Sequence, residues 1–171
     1  MKAIFLDRDG VINKDVGYLH QISEFSFIDG TIEALQYLSS KNFLLFIITN
    51  QSGIARGYYS EADFEVLSNW LLSFLKKKKI IITEILHCPH ITSDNCNCRK
   101  PNTGMIDEIK IKYEIDIENS WIIGDKKSDI DCGLKSGINN TIQVRSGHYF
   151  DDSESNAKYI LNSIKEINSI I

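Results

Sequence analysis

The sequence predicts an α/β domain, a parallel sheet with helices on both faces. Three observations carry this expectation. The chain has 171 residues, 43% hydrophobic and 25% charged, which suits one ordinary globular domain with a real core. Apolar runs of strand length alternate with segments of helical periodicity. One of the runs, "FLLFIITN", is apolar almost throughout, as a strand covered on both faces must be. No internal repeat, low-complexity stretch or linker divides the chain, so residues 1–171 read as a single domain.

The elements follow in order. "KAIFLD" is a short apolar strand that ends at a turn. "GTIEALQYLSSKN" places Ile32, Leu35 and Leu38 on one helical face, with Asn42 as its stop. "FLLFIITN" is the second strand. In "SEADFEVLSNWLLSFLKKKK", Ser60 is the N-cap with Asp63 three residues on, and the lysine run suits a helix C-terminus. "IIITEILHC" is the third strand, "NTGMIDEIKIKYEI" a helix and "SWIIGD" the fourth strand. "KSDIDCGLKSG" is a short helix closed by Gly137, "NTIQVRSG" the fifth strand, and "SESNAKYILNSIKEINSII" a closing amphipathic helix.

Bulk properties exclude some classes. The net charge of -4 gives no basic surplus for nucleic acid. No apolar run reaches membrane-spanning length, and Met1-Lys2-Ala3-Ile4 runs directly into the first strand without a secretory leader. A cytoplasmic monomer acting on a small molecule, with no nucleic acid and no membrane as partner, is the expectation.

In a parallel sheet of this kind, ligands bind beyond the C-terminal strand ends. The first strand ends at Asp7, with Asp9 two residues on and so on the same side of an extended chain. The second ends at Thr49-Asn50 and the fourth at Gly124-Asp125, while the segment after the third leads to Arg99-Lys100. Aspartates after a strand are often only turn formers. Three carboxylates converging with a threonine and a lysine ask for more. They suit Mg²⁺, and with it a phosphoryl group whose transition state needs fixed cations and donors. One carboxylate of such a pair can attack phosphorus, and one two residues on can move the proton.

Three of the four cysteines crowd together. Cys88, His90, Cys96 and Cys98 form a complete three-thiolate, one-imidazole set for tetrahedral zinc. With no open position the zinc would be structural, bracing the loop that carries Arg99 and Lys100. Among the remaining residues, His87 reads as packing or polar surface and Cys132 as a small buried side chain. Asp129 reads as an orienter of Lys126 or of a metal-bound water, and Asp131 as helix surface. Arg56 reads equally as a phosphate contact or a loop-ordering residue. Tyr58 and Tyr59 read as packing beneath their loop, the Lys76–Lys79 run as a solvated helix end, and Arg145 has no assigned role.

"DRDGV", Thr49, Lys100 in "RKP", and "GDKKSD" together resemble the four motifs of the haloacid dehalogenase superfamily. "FLDRDGVIN", "DVGYLH", "TNQSGIARGYYS", "CPH", "CNCRKPNTGM" and "IGDKKSDI", in that order, resemble more closely its heptose bisphosphate and histidinol phosphate phosphatase family. The resemblance implies a three-layer Rossmann-like, haloacid-dehalogenase-like fold that is essentially capless, with a small zinc loop over about 88–98. It implies Asp7 as nucleophile and Asp9 as general acid and base. Mg²⁺ would be held by the Asp7 side chain, the Asp9 carbonyl and Asp125. Thr49 and Lys100 would stabilise the phosphoryl group. Arg99 would select the substrate, and Asp15, Val16, Gly17, Tyr18, Asn50, Gln51, Ser52 and Lys126 would touch it or shape its pocket. The implied reaction is removal of the 7-phosphate of a heptose 1,7-bisphosphate through an aspartyl-phosphate, for surface polysaccharide synthesis, with histidinol phosphate as the alternative substrate. A zinc-stabilised phosphate-binding protein without turnover is the reading from another class. Only "ITSDN" separates His90 from Cys96, where many family members carry a longer insert, so the pocket wall beside Arg99 is reshaped here.

Overall fold

The computed structural model describes all 171 residues. Its six parallel strands are β1 (Ala3–Leu6), β2 (Leu44–Asn50), β3 (Ile82–Cys88), β4 (Trp121–Gly124), β5 (Asn140–Val144) and β6 (Tyr159–Leu161), in the spatial order β3-β2-β1-β4-β5-β6. Its helices are α1 (Thr31–Ser40), α2 (Glu61–Lys77), α3 (Gly104–Lys112) and α4 (Lys127–Lys135).

The two-faced burial expected of the central strands is present. Ile4, Leu6, Leu45, Ile47 and Ile123 face a core shared with Leu35 and Leu38 of α1 and Leu71 and Leu75 of α2. Their neighbours Ala3, Phe5, Phe46, Ile48 and Ile122 point the other way, onto Met105, Ile106 and Ile109 of α3 and Cys132 of α4. Alternation along each strand thus feeds two helical layers.

Helix ends follow local chemistry. Ser60 Oγ accepts the Asp63 N–H at 3.2 Å while Asp63 Oδ2 accepts the Ser60 N–H at 2.8 Å, a reciprocal cap on α2. Asn42 (φ 59°) and Gly137 (φ 90°) adopt the left-handed conformation just past α1 and α4. Lys76–Lys79 are exposed. Trp70 and Phe74 of α2 pack on Phe25 and Phe27 from the β1–α1 connection, with ring centroids 5.0 Å apart in each pair.

The C-terminal segment departs from expectation. Instead of one amphipathic helix it forms β6 and a short 3₁₀ helix over Ile164–Ser169, so the sheet has six strands rather than five. The free edge of β5 offered backbone partners, and Ile142, Gln143 and Val144 pair in parallel with Tyr159, Ile160 and Leu161. Asn162 and Ser163, poor in helix interiors, then turn the chain, and Ile164 and Ile167 still reach the core.

The strand order positions the site. From β1 the chain winds outward through β2 and β3, then returns to β4 on the other side of β1. A crevice must open where the winding reverses, beyond the C-terminal ends of β1 and β4. Asp7 and Asp125 follow those two strands.

Candidate active site

The loops after β1, β2, β3, β4 and β5 enclose a cavity of about 650 Å³ at this edge. Asp9, Asp15, Gly17, Tyr18, Asn50, Gln51, Ser52, Arg99, Lys100 and Lys126 line it. Asp7, Thr49 and Asp125 are buried directly behind this lining. Val16 lies outside the lining, its side chain largely exposed.

Lys100 is the hub. Its Nζ donates to Asp7 Oδ1 at 2.9 Å, to the Ile48 carbonyl at 2.7 Å and to Asp129 Oδ1 at 2.7 Å. All three ammonium protons are thereby engaged, in a side chain only 1% exposed. Asn50 fixes the backbone beneath it, accepting the Lys100 N–H at 3.0 Å and donating to its carbonyl at 3.1 Å. Asp129 does more than expected: beside accepting the backbone N–H of Lys126 at 2.9 Å, its carboxylate grips Lys100.

Electrostatics here are under tension. Burial raises the Asp7 carboxyl to about 8, with Asp129, Asp125 and Asp9 adding repulsion against the pull of Lys100. Burial and Asp129 likewise raise Asp125. Burial opposes the charge on Lys100, but Asp129 and Asp7 outweigh it and raise its pKa. Burial opposes Lys126 in the same way, and Asp125, Asp7 and Asp15 raise it. The cluster is short of positive charge.

The donor set fits a divalent cation on three counts. Carboxylate oxygens of Asp7, Asp125 and Asp129 lie within 4.8 Å of one another. Asp125 Oδ1 is buried without a hydrogen-bond partner. Glycines cradle the other side: a Cβ at Gly10 or Gly147 would come within 2.6 or 2.2 Å of Asp125 Oδ2. That close approach, together with φ of 86°, is why Gly10 breaks the apolar run.

Asp9 is held apart from this cluster. Arg8, fully buried, donates to it at 3.0–3.3 Å, Asn13 at 2.9 Å and Gln51 at 3.0 Å.

The cysteine cluster assembles beside the cavity. Cys98 Sγ lies 3.0 Å from Cys88 Sγ and 3.5 Å from Cys96 Sγ, Cys88 and Cys96 are 3.5 Å apart, and His90 Nδ1 is 3.3 Å from Cys98 and 3.6 Å from Cys88. Tetrahedral zinc with bonds of about 2.3 Å to sulfur would set edges of about 3.8 Å. Four donors already converge to nearly that spacing. The Arg99 guanidinium donates to the His90 carbonyl at 3.1 Å, tying the next residue back to the cluster.

Other residues settle plainly. His87 pairs with Glu61 at 2.7 Å over the Phe64 ring. Cys132 is buried. Arg56 is exposed and off the cavity, and Arg145 bonds Asp152 on the surface. Tyr59 packs beneath its loop, whereas Tyr58 is exposed. Sequence reasoning missed Arg8, Asn13, Tyr59 and His148 as site residues. His148 lines the cavity and its N–H donates to Asp125 Oδ2 at 2.8 Å. It follows the end of β5, so the strand-end rule applied to the fifth strand would have found it.

Comparisons agree with this geometry. A family model described as HAD-hydrolase-like matches residues 97–167. The chain is 47% identical to D-glycero-alpha-D-manno-heptose-1,7-bisphosphate 7-phosphatase of Campylobacter jejuni, over 96% of each chain. It is 43% identical to the enzyme of the same name from Photorhabdus laumondii, over 100% of this chain and 97% of the relative. It is 39% identical to D-glycero-beta-D-manno-heptose-1,7-bisphosphate 7-phosphatase of Escherichia coli, over 96% of this chain and 91% of the relative. A solved D,D-heptose 1,7-bisphosphate phosphatase from B. bronchiseptica, complexed with magnesium and phosphate, superposes with a TM-score of 0.87 at 26% identity, over 99% of this chain and 97% of that one. With its acids, threonine and lysine gathered at one sheet edge and relatives of this identity along its whole length, the chain belongs to the heptose-1,7-bisphosphate 7-phosphatase family of HAD-like hydrolases.

Proposed function

We propose that this protein is a cytoplasmic, monomeric, single-domain Mg²⁺-dependent phosphatase that removes the 7-phosphate of D-glycero-D-manno-heptose 1,7-bisphosphate, in the supply of nucleotide-activated heptose for surface polysaccharide. The observation that carries it is Lys100 held between Asp7 and Asp129 at the strand-reversal crevice, with the partnerless Asp125 oxygen beside them.

In this reading an Asp7 carboxylate oxygen attacks phosphorus. The P–O7 bond breaks, an aspartyl-phosphate forms, and Asp9, the partner of Arg8 in the resting site and protonated when the substrate is bound, gives that proton to the departing sugar oxygen. Asp9 then takes a proton from water, whose oxygen attacks phosphorus and returns Asp7 and phosphate. Thr49 offers a donor to the phosphoryl oxygens, and Lys100, its three protons held by Asp7, the Ile48 carbonyl and Asp129, offers its positive charge. Bound between the Asp7 and Asp125 carboxylates and the Asp9 carbonyl, Mg²⁺ would supply the missing positive charge. Arg99 and Lys126 at the cavity wall suit the remote phosphate, and Asp15, Gly17, Tyr18, Asn50 and Ser52 shape the sugar pocket. Val16 contributes at most at the rim. Cys88, His90, Cys96 and Cys98 hold structural zinc in this reading.

Phosphate release with Mg²⁺ tests it, using both anomers of heptose 1,7-bisphosphate beside histidinol phosphate and an Asp7→Asn control. A preference for one heptose anomer of at least tenfold over histidinol phosphate, abolished in the control, is expected. Preference for histidinol phosphate would overturn the substrate, and an active control would overturn the nucleophile.

A further inference from the structure

Gln51 is a pocket residue whose side chain is wholly engaged by the protein. Its Nε2 donates to Thr49 Oγ1 at 2.8 Å and to Asp9 Oδ2 at 3.0 Å. Its Oε1 accepts from the Tyr59 hydroxyl at 2.5 Å and, at 3.4 Å, from Arg8. An amide has two N–H donors and one carbonyl acceptor, and every one is in use. The residue is only 3% exposed.

The amide cannot turn over. Reversal would set Oε1 against the Asp9 carboxylate and Nε2 against the Arg8 guanidinium, which can only donate. Tyr59 braces the amide from behind. Burial raises its phenol to about 12, so the hydroxyl keeps the proton that it gives to Oε1. Its ring stacks on His20 with centroids 5.0 Å apart and planes 6° apart. Opposite, Gly53 leaves room for the ring: a Cβ there would sit 2.1 Å from Tyr59 Cε1. The "GYLH" and "GIARGYY" segments thus meet in one device.

The consequence falls on Thr49. A hydroxyl that accepts from Gln51 keeps its single proton for another acceptor. We propose that Gln51, locked by Tyr59, is a positioning residue that holds the Thr49 hydroxyl as a donor toward the transferring phosphoryl group and Asp9 at its station, rather than a substrate-binding residue. This rests on the reading of Thr49 as a phosphoryl-binding group.

A double-mutant cycle of Thr49→Val and Gln51→Met, read as kcat and KM on heptose bisphosphate with Mg²⁺, tests it. Gln51→Met is expected to lower kcat about tenfold or more with KM within about threefold, as loss of a preorganised donor does. On the Thr49→Val background the same change should cost at least threefold less. Gln51→Glu keeps the size and the acceptor toward Tyr59 but loses both donors, and should also lose kcat; it serves if Gln51→Met does not fold. A raised KM with unchanged kcat would overturn the proposal in favour of direct substrate contact. Equal losses on both backgrounds, or wild-type kcat in Gln51→Met and Gln51→Glu, would overturn it too. If Thr49→Val is itself as active as wild type, the phosphoryl role of Thr49 fails and the inference with it. If Thr49→Val is crippled and the Gln51 variants are not, the inference alone fails.

Discussion

Replacing Lys100 by methionine keeps most of the length of the side chain and removes its charge. Lys100, Asp7 and Asp129 have side chains only 1%, 7% and 2% exposed, so solvent screens little of the interaction. Removing one partner of a buried ion pair costs about 3–5 kcal/mol. For a domain of this size each kcal/mol shifts Tm by about 2–4 °C, so a drop of about 6–20 °C is expected. The drop should also depend on pH. Asp7 stands at about 8 in the folded protein, above its ordinary 3.8. A group raised in this way has its full stability below its unfolded value and loses it as pH climbs through the folded one. Without Lys100 the folded value moves higher still, so the variant carries an added penalty only above about pH 8, about 1.4 kcal/mol per unit of further rise. Thermal melts in magnesium-free buffer at pH 6 and pH 9 measure both effects, and kcat should fall about 10²–10³-fold. A Tm loss under 3 °C, or a loss that shrinks from pH 6 to pH 9, would refute the reasoning.

Two more predictions follow from the same charges and from the cysteines. Because Asp7 must be ionised to hold a cation, Mg²⁺ affinity should rise by up to about tenfold per pH unit below about pH 8 and flatten above it. Calorimetry in buffers of different ionisation enthalpy should show up to one proton released per ion below that pH, and pH-independent binding would remove the raised carboxyl from the account. The protein should carry about one zinc per chain, and Cys98→Ser should lose it together with stability and turnover, because Arg99 and Lys100 follow directly; a variant that keeps its zinc would exclude Cys98 as a ligand.

Most of the scaffold was legible because local patterns and tertiary demands coincide. The apolar β2 run lies in the sheet interior, the Ser60–Asp63 cap forms, and Asn42 and Gly137 stop their helices. The C-terminal segment failed because its fate is decided non-locally. Tyr159–Leu161 has helical periodicity but completes the edge of β5, which no window of its own sequence reveals. The site shows the same division. Strand-end aspartates, the threonine and the cysteine spacing could be read one at a time. The partners of those groups could not. That Asp129 grips Lys100 as well as the Lys126 backbone, that Arg8 turns inward onto Asp9, and that Tyr59 reaches Gln51 all depend on which loops meet above the sheet.

Charge balance orders the events at this edge. With Asp7 ionised, Asp7, Asp15, Asp125 and Asp129 present four negative charges to Lys100, Lys126 and Arg99, while Arg8 and Asp9 neutralise each other in the resting site. A phosphate monoester dianion approaching this net negative site meets repulsion in a poorly screened cavity. Adding a divalent cation would reverse the sign, so phosphate should be admitted only after, or together with, the metal. By linkage the help must be mutual. Magnesium should tighten inorganic phosphate, and phosphate should tighten magnesium by the same factor, at least about tenfold if the coupling exceeds 1.4 kcal/mol. Titrating each in the presence and absence of the other measures both arms. Equal phosphate affinity with and without magnesium would mean that the lysines and Arg99 alone accept the anion, and that the clustered carboxylates are balanced without a metal.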